Sequence, residues 1–366
     1  MAQVEPILRA GFGCEVSIDQ SHIDNDHLVL VGVTIAGGPV ASAPPLLTAR
    51  RIEFDRPVSE LIEHGLGGHA TVDGGSIHLA LDERRSNVPA MQAPLDLEFS
   101  EARVEVQVPG GSTAIEVDDL DLTVTLSPAQ DDRPAQALVS VTPASIEVAG
   151  LELSRPALDG WINADGTSSW TATAGRTDPA RDSDERTMNA SFAFETRDDA
   201  LLWTLHASVG RWPLGEHDVP LLTRVFPLAA GSDSLEGELQ LTVDLTGRGL
   251  RPDAIERDLA GSVRARVPGL ELPLDSLLGR LGRHAGVDVQ TLRIYGLDAT
   301  ATVADGWIDY RVSAADGDLL PFVGRSSLDG ALELTVDLAP ALALSDRALA
   351  NNVEIGGTLD RPAPRF

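Results

Sequence analysis

Leu120-Asp-Leu-Thr-Val-Thr-Leu126 decides the fold. Every even position is apolar and every odd position polar, the period-two pattern of a strand with one greasy and one wet face. The pattern returns in Leu239-Gln-Leu-Thr-Val-Asp-Leu245 and Leu332-Glu-Leu-Thr-Val-Asp-Leu338. Shorter copies are Ile77-His-Leu-Ala-Leu81, Val104-Glu-Val-Gln-Val108 and Ile146-Glu-Val148. Asp73-Gly-Gly75, Pro109-Gly-Gly111, Asp165-Gly166, Asp305-Gly306 and Asp329-Gly330 punctuate these runs as turns. Strand, short turn, strand at this spacing predicts antiparallel meanders.

Helices are few. Val58–His64 follows Pro57 and stops at Gly65, Arg251–Leu259 has Pro252 near its start, and Leu274–His284 carries leucines at helical spacing. Thr177–Arg186 reads as a polar loop and Arg361–Phe366 as a tail. The expected fold is mostly β: an elongated antiparallel sheet, curled into a groove, with two or three short helices. A sandwich that seals the same faces against a second sheet fits the alternation equally well.

Composition narrows the function. Apolar residues make up 43% of the chain and aromatic residues only 4%, so a core of Leu, Val, Ala and Ile is available. All 28 basic side chains are Arg, against 56 acidic ones, for a net charge of −28. Such a field repels phosphate backbones and excludes nucleic acid as a partner. It also opposes docking on anionic lipid by charge alone, so any lipid contact has to be hydrophobic and sheltered. The single Cys14 allows no internal disulfide and no cysteine metal cluster. Leu28–Ile35 is too short to span a bilayer, and Met1–Gly13 lacks the pattern of a signal peptide.

Chemistry is sparse. The eight His form no His-Glu-x-x-His pattern, and Asp24-Asn-Asp26-His27 lacks the Gly and later Glu of a calcium loop, so it reads as a turn. Gly324-Arg-Ser-Ser-Leu-Asp-Gly330 does not fit the nucleophile elbow. No phosphate-cradling glycine loop is present. The five Trp read as core or rim packing. These readings predict no enzyme, no cofactor and no metal.

Two regions resemble the AsmA-like family, whose relatives include TamB and which overlaps with the repeating β-groove proteins. The first spans residues 10–81, through Gly13-Cys-Glu-Val-Ser-Ile18, Leu28–Ile35 and Ala49-Arg-Arg-Ile-Glu-Phe54 followed by Val58–Ile62. The second spans 206–362, through Ser234-Leu-Glu-Gly-Glu-Leu239 and its continuation to Gly249, then Ile255–Val263, Ser327–Val336 and a closing Val353–Pro362. The resemblance implies an N-terminal AsmA-like β module over 1–81, a central β region over 82–205 and a C-terminal module over 206–366. It implies a non-enzymatic protein of the bacterial cell envelope that binds or conducts phospholipid or another acyl lipid in a β groove and supports envelope biogenesis. Its place would be the periplasm, associated with the inner membrane where an upstream anchor exists, with envelope proteins as partners. The groove lining would be Leu120, Leu122, Val124, Leu239, Leu241, Val243, Leu332, Leu334 and Val336, on a face that recurs from Leu120 to Leu338 without aromatic plugs. A structural or interaction protein with a sealed β core is the alternative, and a polysaccharide-active β protein a weaker one.

Overall fold

A computed structural model describes residues 6, 9, 15–36, 45–80, 93–107, 113–129, 135–143, 145–148, 151–163, 167–175, 186–197, 200–215, 218–219, 223, 226–232, 236–273, 276–284, 291–314, 322–337, 352–359 and 361–365. The first half of the chain builds β1 (Val16–Asp24), β2 (His27–Ala36), β3 (Pro45–Pro57), β4 (Gly68–Ala80), β5 (Leu95–Gln107), β6 (Thr113–Ser127), β7 (Gln136–Thr142), β8 (Ser145–Val148), β9 (Leu151–Asn163) and β10 (Ser168–Gly175). The second half builds β11 (Arg186–Arg197), β12 (Ala200–Leu214), β13 (Glu236–Arg248), β14 (Ala260–Pro273), β15 (Thr291–Ala304), β16 (Trp307–Ala314), β17 (Phe322–Ser327), β18 (Leu332–Asp337), β19 (Asn352–Gly357) and β20 (Pro362–Arg365). Among the described residues, three short helices, α1 (Val58–His64), α2 (Pro252–Asp258) and α3 (Leu277–His284), and one 3-10 turn (Pro227–Ala229) accompany the strands. The expected helices are thus present, the last two trimmed at their ends.

All twenty strands join one curled sheet that does not close into a barrel, and β7 and β8 share the same edge of β9. Apart from β7 and β8, strands that are neighbours in sequence are neighbours in the sheet, and tight turns join β1 to β2 and β15 to β16. Asn25 and Asp26 have φ of 50° and 71°, and Asp305 and Gly306 have 51° and 77°, the doubly positive geometry that suits right-twisted hairpins. The expected domain borders do not divide the sheet. The first falls in the connection between the paired strands β4 and β5, and the second falls inside β12.

The structure corrects three local expectations. Asp73-Gly-Gly75 is not a turn but lies within β4, where Gly74 at φ 59° bends a continuous strand. Pairing is not antiparallel throughout, since β4 and β5 run parallel with Val72 beside Phe99. The C-terminal tail is an edge strand on β19, with Pro364 opposite Ile355. Pro109-Gly-Gly111, Asp165-Gly166 and most of Thr177–Arg186 lie outside the described residues.

Apolar residues are buried in two clusters on the same face of the sheet. One joins Val16 through Ala137, with Leu61 of α1 and Leu66 laid over it. The other joins Ala174 through Leu359, covered by Phe226, Leu228 and Ala229 of the 3-10 segment and by Leu277 and Leu281 of α3. The two covering pieces of the second cluster are tied together, because the Leu277 amide donates to the Ala230 carbonyl at 2.8 Å. Between the clusters, glycines of β9 and β13 make room for tryptophans. A Cβ at Gly160 would strike the ring of Trp170, and one at Gly247 the ring of Trp203. Gly160→Val is therefore expected to force Trp170 out of its place and destabilise the fold by about 1–3 kcal/mol, the cost of overpacking, measured as a lower denaturation midpoint with an unchanged m-value.

Candidate trough on the apolar face

Register carries one apolar row across nearly the whole sheet. It starts Leu30–Ile52–Val72–Phe99–Leu122–Val141 over β2 to β7, each residue directly opposite the next. It continues Leu158–Ala172–Ala190–Ala207–Val243–Val263 over β9 to β14. It closes Ala301–Tyr310–Gly324–Leu334–Ile355 over β15 to β19. Leu122, Val243 and Leu334, taken from the three clearest alternating runs, therefore stand in a single line.

Exposure along that line is not uniform. Leu30, Ile52, Val72, Phe99 and Leu122 are at most 3% exposed, and Tyr310, Leu334 and Ile355 likewise. The seven residues between, from Val141 to Val263, are all half-buried. Both ends of the trough are sealed cores, and its middle is partly open. Six inter-strand steps of about 4.8 Å make the half-open stretch about 29 Å long, close to the thickness of a bilayer's hydrocarbon.

The expected lining residues separate accordingly. Leu120 and Leu122 are buried in the N-terminal cluster, with Val124 half-buried against it. Leu239, Leu332, Leu334 and Val336 are buried in the C-terminal cluster, with Leu241 packed at its margin. Val243 belongs to neither and lies in the half-open middle. All nine share one face, but six of them are core, and Val124, Leu241 and Val243 are the half-exposed subset. Sequence reasoning missed most of the middle floor, which is built from Leu158, Ala172, Ala190, Ala207 and Val263.

The face is also not free of aromatic rings. Trp170 stacks on Phe192 at 6.3 Å between centroids, and Phe192 meets Phe194 edge-on at 6.2 Å. Trp203 stands opposite Phe194, and its indole N–H donates to the Gly249 carbonyl at 2.9 Å. These four rings form one flank of the open stretch, a placement visible in the spacings Trp170-x-Ala172, Ala190-x-Phe192-x-Phe194 and Leu205-x-Ala207. Where the middle passes into the sealed C-terminal end, Trp212 is buried and its indole N–H donates to Asp218 Oδ1 at 3.2 Å. The Gly215 amide donates to Asp218 Oδ2 at 2.7 Å, so a wholly buried carboxylate fastens the covering segment to β12.

The exposed ion pairs of the C-terminal strands lie on the other face. Arg325 bonds Glu333 at 2.8 Å and lies 4.3 Å over the Trp307 ring. A depression of about 960 Å³ there is lined by Thr300, Asp309, Arg311, Arg325, Glu333 and Glu354, among others, with cations and carboxylates interleaved. In the β17–β18 turn, the Ser327 hydroxyl and the Ala331 amide hold the Asp329 carboxyl below the usual carboxylate range. Of the candidates for chemistry, Asp24-Asn-Asp26-His27 is the β1–β2 turn, and no cluster of metal ligands exists among the described residues.

One constellation has the composition of a catalytic triad. On the polar face, His78 Nε2 lies 3.3 Å from Ser76 Oγ, and its Nδ1 lies 2.9 Å from Glu105 Oε2. The distances fit a nucleophile, base and orienting carboxylate, but the alignment does not: His78 Nδ1 makes no directed hydrogen bond despite its short ion-pair distance. Arg103 Nε takes Glu105 Oε1 at 3.0 Å, so the carboxylate serves a local ion-pair network between β4 and β5. The depression beside Arg325 does not include these residues.

No described helix is long and apolar enough to cross a membrane. Replacing Asp218 with Ala removes two hydrogen bonds at a buried site, so Asp218→Ala is expected to cost about 2–4 kcal/mol in urea unfolding, against under about 0.5 kcal/mol for the exposed Asp309→Ala. The chain matches no family model, no curated protein and no solved structure.

Proposed function

We propose that this chain is a non-enzymatic lipid-binding protein of the bacterial cell envelope, holding an acyl lipid on the half-open middle of its trough. The observation that carries this reading is the exposure gradient along one row, wholly buried at both ends and half-buried from Val141 to Val263. A protein that needed only a dry core would gain by covering those seven strands, since each buried methylene contributes about 0.8 kcal/mol. The resemblance to AsmA-like proteins supports the same assignment, and with it a role in envelope biogenesis in the periplasm beside the inner membrane. Lipid would enter by hydrophobic contact, because the net charge of −28 gives anionic headgroups no attraction. The buried ends also give the structural reading a share, with Leu120, Leu332 and their neighbours acting as scaffold.

Two substitutions separate cradle from scaffold. Val336 is wholly buried, so Val336→Asp places an unpaired carboxylate in a sealed core and is expected to cost several kcal/mol, enough to unfold a marginally stable protein. Val243 is half-buried, so the carboxylate of Val243→Asp reaches water and the fold is expected to survive with its melting temperature nearly unchanged. Native mass spectrometry of the gently purified parent should show phospholipid, and the folded Val243→Asp should have lost it. A parent without lipid, together with an unfolded Val243→Asp, would establish the sealed scaffold instead.

A further inference from the structure

Within the open stretch the floor is not flat. Ala172, Ala190 and Ala207 lie directly opposite one another on β10, β11 and β12, so the shallowest side chains of three neighbouring strands align. Two residues along β11 and β12, on the same face, the side chains are large on both sides, whereas β10 offers Trp170 on one side and only Ala174 on the other. Phe192 and Leu205 stand opposite each other on one side, and Met188 and Val209 on the other. Met188 and Val209 pack against the C-terminal cluster, which holds that wall upright. Positions two apart on a strand are separated by about 6.8 Å, so the walls rise about 13–14 Å apart at the backbone. Between them the floor is a single row of alanines.

Alanine is depleted in strands, so three in line are not what sheet formation favours. In a sealed sandwich, small residues lie beneath large ones of a facing sheet. Here all three alanines are half-buried rather than sealed. The slot runs on over Val243, between Leu241 and Leu245, so large residues flank it on both sides over the three strands β11 to β13, about 10 Å, while on β14 Val263 stands between Gly261 and Ala265. Over β11 to β13 its walls and floor are Met, Val, Leu, Phe and Ala, which suits a chain of methylenes and nothing polar.

We infer that the alanine line is a specificity-determining slot that takes one extended, linear acyl chain and rejects broad, rigid ring systems such as sterols. This inference rests on the lipid-binding reading and names the cargo's shape. A linear chain fills the slot lengthwise across the strands, whereas a fused-ring plate wider than one chain is stopped by Phe192 and Met188 at its edges.

The test uses the whole chain and two fluorescent probes, cis-parinaric acid as the linear chain and dehydroergosterol as the plate. The parent is expected to bind the fatty acid at one per chain and to bind the sterol at least about tenfold more weakly. Ala190→Phe fills the slot and is expected to weaken fatty-acid binding about tenfold or more, while Ser191→Phe, on the opposite face of the same strand, leaves it unchanged. Met188→Ala removes a wall and is expected to admit the sterol, and it decides the matter should Ala190→Phe fail to fold. Equal binding of both probes by the parent, or a folded Ala190→Phe with parental affinity, overturns the slot. Phospholipid retained by the parent beside either of those outcomes leaves the lipid-binding reading standing and removes only the slot. A parent that carries no phospholipid and binds neither probe removes both.

Discussion

Everything in this molecule hangs on register. A strand's side chains alternate with a period of two, so a one-residue slip between any pair of strands would send all later apolar residues to the wrong face. Yet Leu30 and Ile355 are joined through directly opposed partners across all but three of the twenty strands. The bulges absorb what would otherwise break the line. Between Val209 and Trp212, β12 shifts register at Gly210 and Arg211, the latter at φ 53°, and so turns Trp212 back to the apolar side. Gly237, at φ 158°, passes so near the Gly269 carbonyl that a side chain would collide with it, at the place where β13 and β14 shift. These irregularities preserve the face rather than disturb it.

Given one continuous greasy face, function follows from what crosses it. The 3-10 segment and α3 cover the C-terminal strands, and α1 with Leu66 covers the N-terminal ones. Each cover is short and local: Leu61 comes directly after β3, and Phe226 to Ala229 come between β12 and β13. The apolar row itself is half-buried over β9 to β12, at Leu158, Ala172, Ala190 and Ala207. The described covers thus lie over the two sealed ends.

This explains what could be read from the sequence. Alternation in Leu120–Leu126, Leu239–Leu245 and Leu332–Leu338 shows which side chains share a face, because that property is local. It does not show which of them are covered, because burial of Leu334 depends on a segment about a hundred residues upstream. Gly74 resembled a turn because a bulge and a hairpin use the same residue for the same positive φ. The parallel β4–β5 pair was hidden because strand direction depends on the connection, whereas the pattern within a strand is the same either way. The alanine line is hidden in the sequence because Trp170-Thr-Ala-Thr-Ala174 alternates with residues too small to stand out.

An open sheet with a half-open apolar trough also has to avoid its own kind. Exposed apolar faces and unpaired strand edges are the usual routes to aggregation. At the β20 edge, Pro362 and Pro364 have no amide hydrogen to offer another strand. Over the rest of the surface, the acidic excess acts on every approach between copies, since 56 carboxylates against 28 guanidiniums leave like charge on any two surfaces that meet. The same excess that makes anionic membranes repel the chain therefore keeps its trough available, and it does so without placing a charge on the floor. Arg, Asp and Glu alternate onto the polar face, as in Asp309 opposite Arg325 and Arg325 opposite Glu333, while the residues between them hold the apolar line. A charged exterior and a greasy binding surface are reconciled by the same two-residue period that builds the sheet.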